Sequence, residues 1–204
     1  IGLYSIIPSQ EINLNNKFVI MAGGRGKRLM PFTEQTPKPM VKVRNKPIIE
    51  HIVNRASSNG LKNIIISINY LGEKIIEHFQ NGEEYGVEID YIKEKNPLGT
   101  AGSLGLLKEE PTEDIIVTNG DVLTKVDYSD ILNFHKQHQA DATMAVSLFE
   151  WNNPYGVIVS NGIELESFKE KPTISFLVNA GIYMLSPKLF KEIKRDQYLD
   201  MPFF

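Results

Sequence analysis

Cysteine is absent from the 204 residues, which excludes disulfides and thiolate metal sites. Histidine is sparse: the four are scattered along the chain and offer no zinc-ligand spacing. No apolar run approaches the roughly 20 residues that a membrane helix needs, so no membrane partner is expected. Positive charge is not in excess. With 22 Lys and Arg against 25 Asp and Glu the net charge is −3, which argues against a general nucleic-acid binder but not against a local basic site for a small anion. The first residues lack the basic-then-apolar pattern of a signal peptide, and the expectation is a soluble cytoplasmic protein. What the chain does have is a hydrophobic content of 42%, enough for one large domain or one domain with a remnant of another.

The apolar residues fall into an alternating order. "KFVIMAGG" (17–24), "NIIISINY" (63–70), "VEIDYIKE" (87–94), "DIIVTNGD" (114–121) and "ATMAVSLFE" (142–150) read as strands. Between them, 46–60, 72–82, 100–110 and 128–140 read as helices, the last with Ser129 or Asp130 near its N-cap. Strand and helix in turn is the pattern of βαβ units on a mostly parallel sheet. After Trp151 the texture changes. Asn161-Gly162 signals a hairpin, "FLVNAGIYMLSP" reads as a further strand, and 187–194 reads as a helix. A smaller antiparallel part is therefore expected beside the α/β core. Met144 and Phe149 alternate with the core pattern, and Trp151 closes a strand.

The stretch "VIMAGGRGKRLMPFTEQTPKPMVKV" (19–43) concentrates backbone freedom and positive charge. Ligands of open α/β sheets bind beyond the carboxyl ends of strands, and a glycine loop there lets backbone N–H groups approach phosphate oxygens. Gly23, Gly24 and Gly26 fit that role. The order is neither the G-x-G-x-x-G fingerprint, which would need a glycine at Leu29, nor a Walker A loop, which would need Gly-Lys-Ser/Thr at 27–29. A dinucleotide-binding oxidoreductase is disfavoured accordingly. The plainer alternative is an ordinary tight turn with solvated arginines. Against it, Pro37 and Pro39 restrict the backbone on both sides of Lys38, so that its amine is held in place. A fixed lysine beside a phosphate loop suits charge stabilisation in phosphoryl chemistry.

Gly23-Gly24-x-Gly26-x-Arg28-Leu29, Pro31, Thr33 and Pro37-Lys38-Pro39-Met40 together resemble the signature of sugar-phosphate nucleotidylyltransferases. "NYLGEKIIEHF", "PLGTAGSL", "TNGD", "YGVI", "EKP" and "VNAGIY" follow in that family's order, from about Phe18 to the end. The resemblance implies a three-layer nucleotide-diphospho-sugar transferase fold, Rossmann-like α/β, with a mostly parallel central sheet and a small antiparallel sugar-binding part. It implies a reaction in which a sugar 1-phosphate attacks the α-phosphorus of a nucleoside triphosphate and pyrophosphate leaves.

Site residues follow from the same resemblance. Ala22, Gly23, Gly24, Gly26 and Lys27 would hold the triphosphate. Arg28 would bind the leaving phosphates, and Lys38 the α-phosphate and the sugar phosphate, both as catalytic residues. Asp121 would ligate Mg²⁺, a hard cation that prefers oxygen; taken alone, a turn-forming aspartate is the alternative. Gly99, Thr100 and Gly102 would contact base and ribose. Tyr155, Gly156, Glu170, Lys171 and Asn179 would line the sugar site, although Glu170-Lys171 also reads as a solvated charged pair. Lys27 departs from the family's usual threonine.

The ends carry two further expectations. Ile1 to Ile7 resembles the last strand of a CBS-type regulatory module, which makes 1–16 the tail and linker of a preceding domain and 17–204 the transferase domain. The family's second metal-binding aspartate lies beyond the region matching "YLDMPFF", so the chain is expected to be a fragment short of one carboxylate. "PLGTAG" resembles the guanylyl-transferring branch, which points to GTP and a hexose or glucosamine-type 1-phosphate. Thymidylyl, uridylyl and mannose-1-phosphate guanylyl variants stay open, as do a non-catalytic nucleotide- or sugar-sensing module and a homo-oligomeric state.

Overall fold

A computed structural model describes residues 14–26 and 29–203 of the chain. The resemblance to a CBS-type tail at Ile1–Ile7 lies outside the described residues, as do Lys27 and Arg28. Strand β1 (Phe18–Met21) leads into the glycine loop, and a small hairpin, β2 (Lys42–Val43) and β3 (Lys46–Pro47), precedes helix α1 (Ile48–Ser58). Then follow β4 (Asn63–Ile68), α2 (Glu73–Phe79), β5 (Glu88–Lys93), β6 (Ile115–Asn119), α3 (Tyr128–His138) and β7 (Ala142–Asn152). The chain continues through β8 (Val157–Asn161), β9 (Glu164–Lys169) and β10 (Thr173–Leu185).

The main sheet has the order β5-β4-β1-β6-β10-β7. β4 and β6 flank β1 in parallel, with Phe18 opposite Ile64 and Ile116, and β5 extends the parallel set. β10 runs antiparallel to β6, Ile182 opposite Thr118. Continuous isoleucine and valine in β1, β4 and β6 follow from burial on both faces of a parallel sheet. On one face, Val19, Ile65, Val117, Tyr183 and Leu185 join a core with Leu104, Phe190 and Met201. On the other, the Phe18 ring packs edge-on against Tyr128 of α3 with centroids 4.8 Å apart. The mostly parallel α/β expectation is thus met.

Three local expectations are corrected. Residues 100–110 form only a short 3₁₀ turn at Gly102–Leu106, because Gly102 and Gly105 weaken an α-helix there and a neighbouring backbone crowds both positions. The segment after Ser186 is likewise a 3₁₀ turn, Pro187–Glu192. The N-cap of α3 is Asp127, whose carboxylate accepts from the Ser129 N–H at 2.8 Å, so the cap stands before Ser129 and Asp130.

Contacts divide the chain into two units, one formed by the residues up to Thr143 together with those from Ile182 onward, the other by Met144–Gly181. The second unit contains the expected hairpin: β8 and β9 pair antiparallel around Asn161-Gly162, with Gly162 at φ +60°. Met144 and Phe149 are about half exposed rather than core, because a unit this small has too little mass to cover its strands. Among the described residues, no helix is long and apolar enough to cross a membrane.

Candidate active site

Parallel pairing brings the carboxyl ends of β1, β4, β5 and β6 to one edge, where the glycine loop, Asn69, Glu94 and Asp121 follow. Gly120 permits a close approach to the end of β1. Its N–H donates to the Met21 carbonyl at 2.8 Å, and a Cβ there would stand 2.8 Å from that same oxygen. Only glycine lets the chain leaving β6 lie so tightly against the end of its parallel neighbour β1, and this contact precedes Asp121 at the cavity.

Lys38 comes from a separate segment. Pro37 has extended backbone angles, and Lys38–Met40 forms one 3₁₀ turn closed by Met40 and Val41 N–H groups. The turn carries the Lys38 ammonium onto the Asp121 carboxylate as an ion pair. Together Ala22, Gly23, Gly24, Gly26, Lys38, Thr100 and Asp121 line one cavity of about 340 Å³, in the company of Leu29, Asn119 and Gly120. Every lining residue belongs to the first unit. A larger cavity of about 560 Å³ lies at Lys17, Asn63, Tyr91 and Leu107, away from the glycine loop.

The loop itself is braced. The buried Thr33 hydroxyl donates to the Gly26 carbonyl at 2.9 Å, and the Arg25 guanidinium lies 5.8 Å from the centre of the Tyr70 ring. Arg25 is nonetheless exposed, as the plainer reading has it, and the ring contact adds to its hydration without replacing it. Tyr70 in turn donates to the Glu34 carbonyl at 2.6 Å, tying the end of β4 to the far side of the loop.

Two acidic residues escaped the sequence reading. The Glu94 carboxylate accepts from the Ser67 hydroxyl at 2.7 Å and from the Leu98 N–H at 3.0 Å, and its Oε1 stands where a side chain at Gly23 would be. It joins the glycine loop, the end of β4 and the "PLGTAG" loop through one charge. Asp200 accepts from both the N–H and the hydroxyl of Thr100, at 2.9 and 3.2 Å. The Tyr198 hydrogen bond holds the Asp200 carboxyl below the usual carboxylate range and raises the Tyr198 phenol. Gly99 and Gly102 face this neighbouring segment and are not among the cavity lining. A signal for Asp200 existed in "YLD", but nothing local ties it to a threonine 100 positions away.

Of the expected sugar residues, Tyr155, Gly156, Glu170 and Lys171 meet at the open end of the β8–β9 hairpin, next to the Val157–Lys169 pair. A Cβ on Gly156 would stand 3.0 Å from Glu170 Oε2. Asn179 lies on β10, its side-chain oxygen accepting from the Gly181 N–H at 2.8 Å. All five belong to the second unit.

Among the described residues, no group of three or more His, Asp and Glu could hold a metal. Asp121 supplies one carboxylate beside the cavity. Mg²⁺ takes one or two carboxylates together with substrate phosphates and water, so this donor fits as a partial site.

A family model described as nucleotidyl transferase matches residues 17–201. A mannose-1-phosphate guanyltransferase of Yarrowia lipolytica is 39% identical over 181 residues, covering 85% of this chain and 50% of that protein. A mannose-1-phosphate guanylyltransferase catalytic subunit beta of Danio rerio is 37% identical over 186 residues, covering 87% of the chain and 52% of its own length. The chain thus spans about half the length of these curated relatives. The crystal structure of HddC from Yersinia pseudotuberculosis matches with a TM-score of 0.68 and 27% identity over 93% of this chain and 86% of that one. The same protein complexed with GMP-PN matches with a TM-score of 0.68 at 25% identity.

Proposed function

Because the chain belongs to the nucleotidyl transferase family, we infer that its first-unit cavity takes a nucleoside triphosphate and that the whole protein transfers the nucleotidyl group to a sugar 1-phosphate. The observation that carries this reading is the single cavity in which the glycine loop, Lys38 and Asp121 meet. A phosphate oxygen of the sugar 1-phosphate attacks the α-phosphorus. The bond from that phosphorus to the β-bridging oxygen breaks, and pyrophosphate leaves with the electron pair. Such transfer asks the protein for positioning and charge stabilisation more than for covalent chemistry.

In this reading the amides of Gly23, Gly24 and Gly26 face triphosphate oxygens, with Ala22 and Lys27 beside them and Arg28 on the leaving β- and γ-phosphates. Lys38 neutralises charge on the α-phosphate as the sugar phosphate arrives. Asp121 would hold Mg²⁺, which supplies charge neutralisation to the polyphosphate when bound. Thr100 borders the nucleotide, with Gly99 and Gly102 behind it. Tyr155, Gly156, Glu170, Lys171 and Asn179 serve the sugar, with Glu170 accepting its hydroxyls.

For the substrates we favour GTP and a hexose 1-phosphate of the mannose type. The support is the "PLGTAG" loop and the guanylyl-transferring relatives at 37–39% identity. The glucosamine-type, CBS-linked subtype rests on residues 1–7 alone and is the narrower alternative. The test is pyrophosphate release by the full-length protein across five triphosphates and several sugar 1-phosphates. GTP with mannose 1-phosphate should give the highest kcat/KM. Preference for thymidine or uridine triphosphate would replace the guanylyl assignment, and release with no pair would leave the sensing alternative.

A further inference from the structure

One set of contacts to the wall of the nucleotide cavity comes from residues that do not line it. Residues 197–201 run along the "PLGTAG" loop as a strap that leads into a 3₁₀ turn at Met201–Phe203. The Ala101 and Gly102 N–H groups donate to the Leu199 carbonyl at 2.9 and 3.0 Å, and the Leu199 N–H donates back to the Leu98 carbonyl at 2.9 Å. The approach is too close for side chains on the loop. A Cβ on Gly99 would stand 2.5 Å from the Leu199 oxygen, and one on Gly102 would stand 2.3 Å from the Gln197 oxygen. Gly99 also holds φ at +80°. The glycines of this loop therefore admit the strap rather than a ligand.

Within the strap, one carboxylate engages one cavity residue. Asp200 Oδ1 accepts both the N–H and the hydroxyl of Thr100, while the Met201 N–H donates to the same hydroxyl oxygen at 2.8 Å. The Tyr198 hydroxyl donates to the other carboxylate oxygen at 2.6 Å and fixes the plane of the group. Thr100 is the one residue of 98–102 that lines the nucleotide cavity, and no residue of 197–201 lines it. Both donors of Thr100 are thus engaged by Asp200 and not offered to the cavity.

We propose that Asp200 is a positioning residue for nucleotide binding, locking Thr100 from outside the cavity with Tyr198 as its brace. This rests on the reading of the cavity as a nucleotide site. A preorganised wall lowers the cost of ordering the loop when nucleotide binds, so the effect belongs in the nucleotide affinity rather than in the chemical step.

The test compares Asp200→Ala, Asp200→Asn and Tyr198→Phe in the full-length protein, with steady-state kinetics for GTP and mannose 1-phosphate and with hydrogen exchange over residues 98–102. Loss of a charge-assisted pair should raise the GTP KM of Asp200→Ala about tenfold or more, with kcat and the sugar-phosphate KM within about threefold. Asp200→Asn keeps an acceptor toward Thr100 and should restore the GTP KM to within about threefold, and Tyr198→Phe should fall between. Exchange at Ala101 and Gly102 should quicken in Asp200→Ala. An unchanged GTP KM with quickened exchange would make the strap purely structural and overturn the proposal, as would a parallel fall of kcat for every substrate. If Asp200→Ala does not fold, Tyr198→Phe decides by the same split. Absence of turnover in the wild type would instead strike the functional reading. GTP affinity by calorimetry would then judge the lock by the same variants.

Discussion

The Lys38 ammonium rests on the Asp121 carboxylate across 83 positions of sequence, with both side chains only about 30% exposed. One group arrives on a proline-flanked turn and the other on a strand end pinned by Gly120. The pair puts a fixed positive and a fixed negative charge at one wall of the glycine-loop cavity, the arrangement that two polyanions and a divalent cation require.

Lys38→Ala is expected to lower turnover of the full-length enzyme by roughly tenfold to a thousandfold, the range for losing one preorganised charge contact. A partly exposed pair contributes only about 0–1 kcal/mol to stability, so the melting temperature should move by a few degrees at most. Pyrophosphate-release kinetics beside a thermal melt check both, and near-normal kcat would remove Lys38 from the chemistry.

Asp121→Asn should abolish Mg²⁺-dependent turnover while sparing thermal stability. Mg²⁺ titration of wild type and variant, followed by activity and by calorimetry with nucleotide present, reads the effect. Identical metal dependence in the two proteins would assign the metal elsewhere.

A methyl group at position 102 should destabilise the fold. Gly102→Ala places its Cβ 2.3 Å from the Gln197 carbonyl oxygen, and the strap backbone has to move. The expected loss is about 1–3 kcal/mol, as for other overpacked sites, read as a lower urea midpoint at unchanged m-value. A midpoint equal to that of wild type would show that the strap detaches at no cost.

Glu50 gives the pH dependence. Burial pushes its carboxyl up, but hydrogen bonds from Lys46 at 2.9 Å and His78 at 3.1 Å outweigh that and hold it below the ordinary value of 4.5. A depressed folded value means that the contribution is complete above about pH 4.5 and fades as the pH falls through the folded value. Glu50→Gln should cost about 1–2 kcal/mol at pH 7 and less at pH 4. Urea midpoints at the two pH values test this, and an equal difference at both would contradict the ion-pair account.

The parallel core was legible because doubly buried strands demand uninterrupted β-branched residues, as in "NIIISI" and "IIVTN". Lys38 and Asp121 were legible for a related reason: proline and glycine announce local backbone geometry, and strand order then brings the two loops to the same edge. Asp200 and Glu94 were not. Each reads as an acidic surface residue, and its partner is set by tertiary packing, across 100 positions for Asp200 and Thr100. Residues 100–110 looked helical because "SLGLL" has apolar spacing, yet the strap that displaces the helix is visible only once the chain has folded. The apolar alternation of β7 suggested core at Met144 and Phe149, but periodicity reports two faces of a strand and not whether anything covers them.

The fate of labelled phosphorus tests the central claim most directly. The full-length protein is supplied with GTP labelled at the α- or the γ-phosphate, together with mannose 1-phosphate and Mg²⁺, and the products are separated. Transfer through the cavity of Lys38 and Asp121 predicts α-label in a nucleotide sugar and γ-label in pyrophosphate, in equal amounts and both strongly reduced in Lys38→Ala. Release of γ-label as inorganic phosphate, or α-label retained in GTP while the protein binds it, would contradict the account.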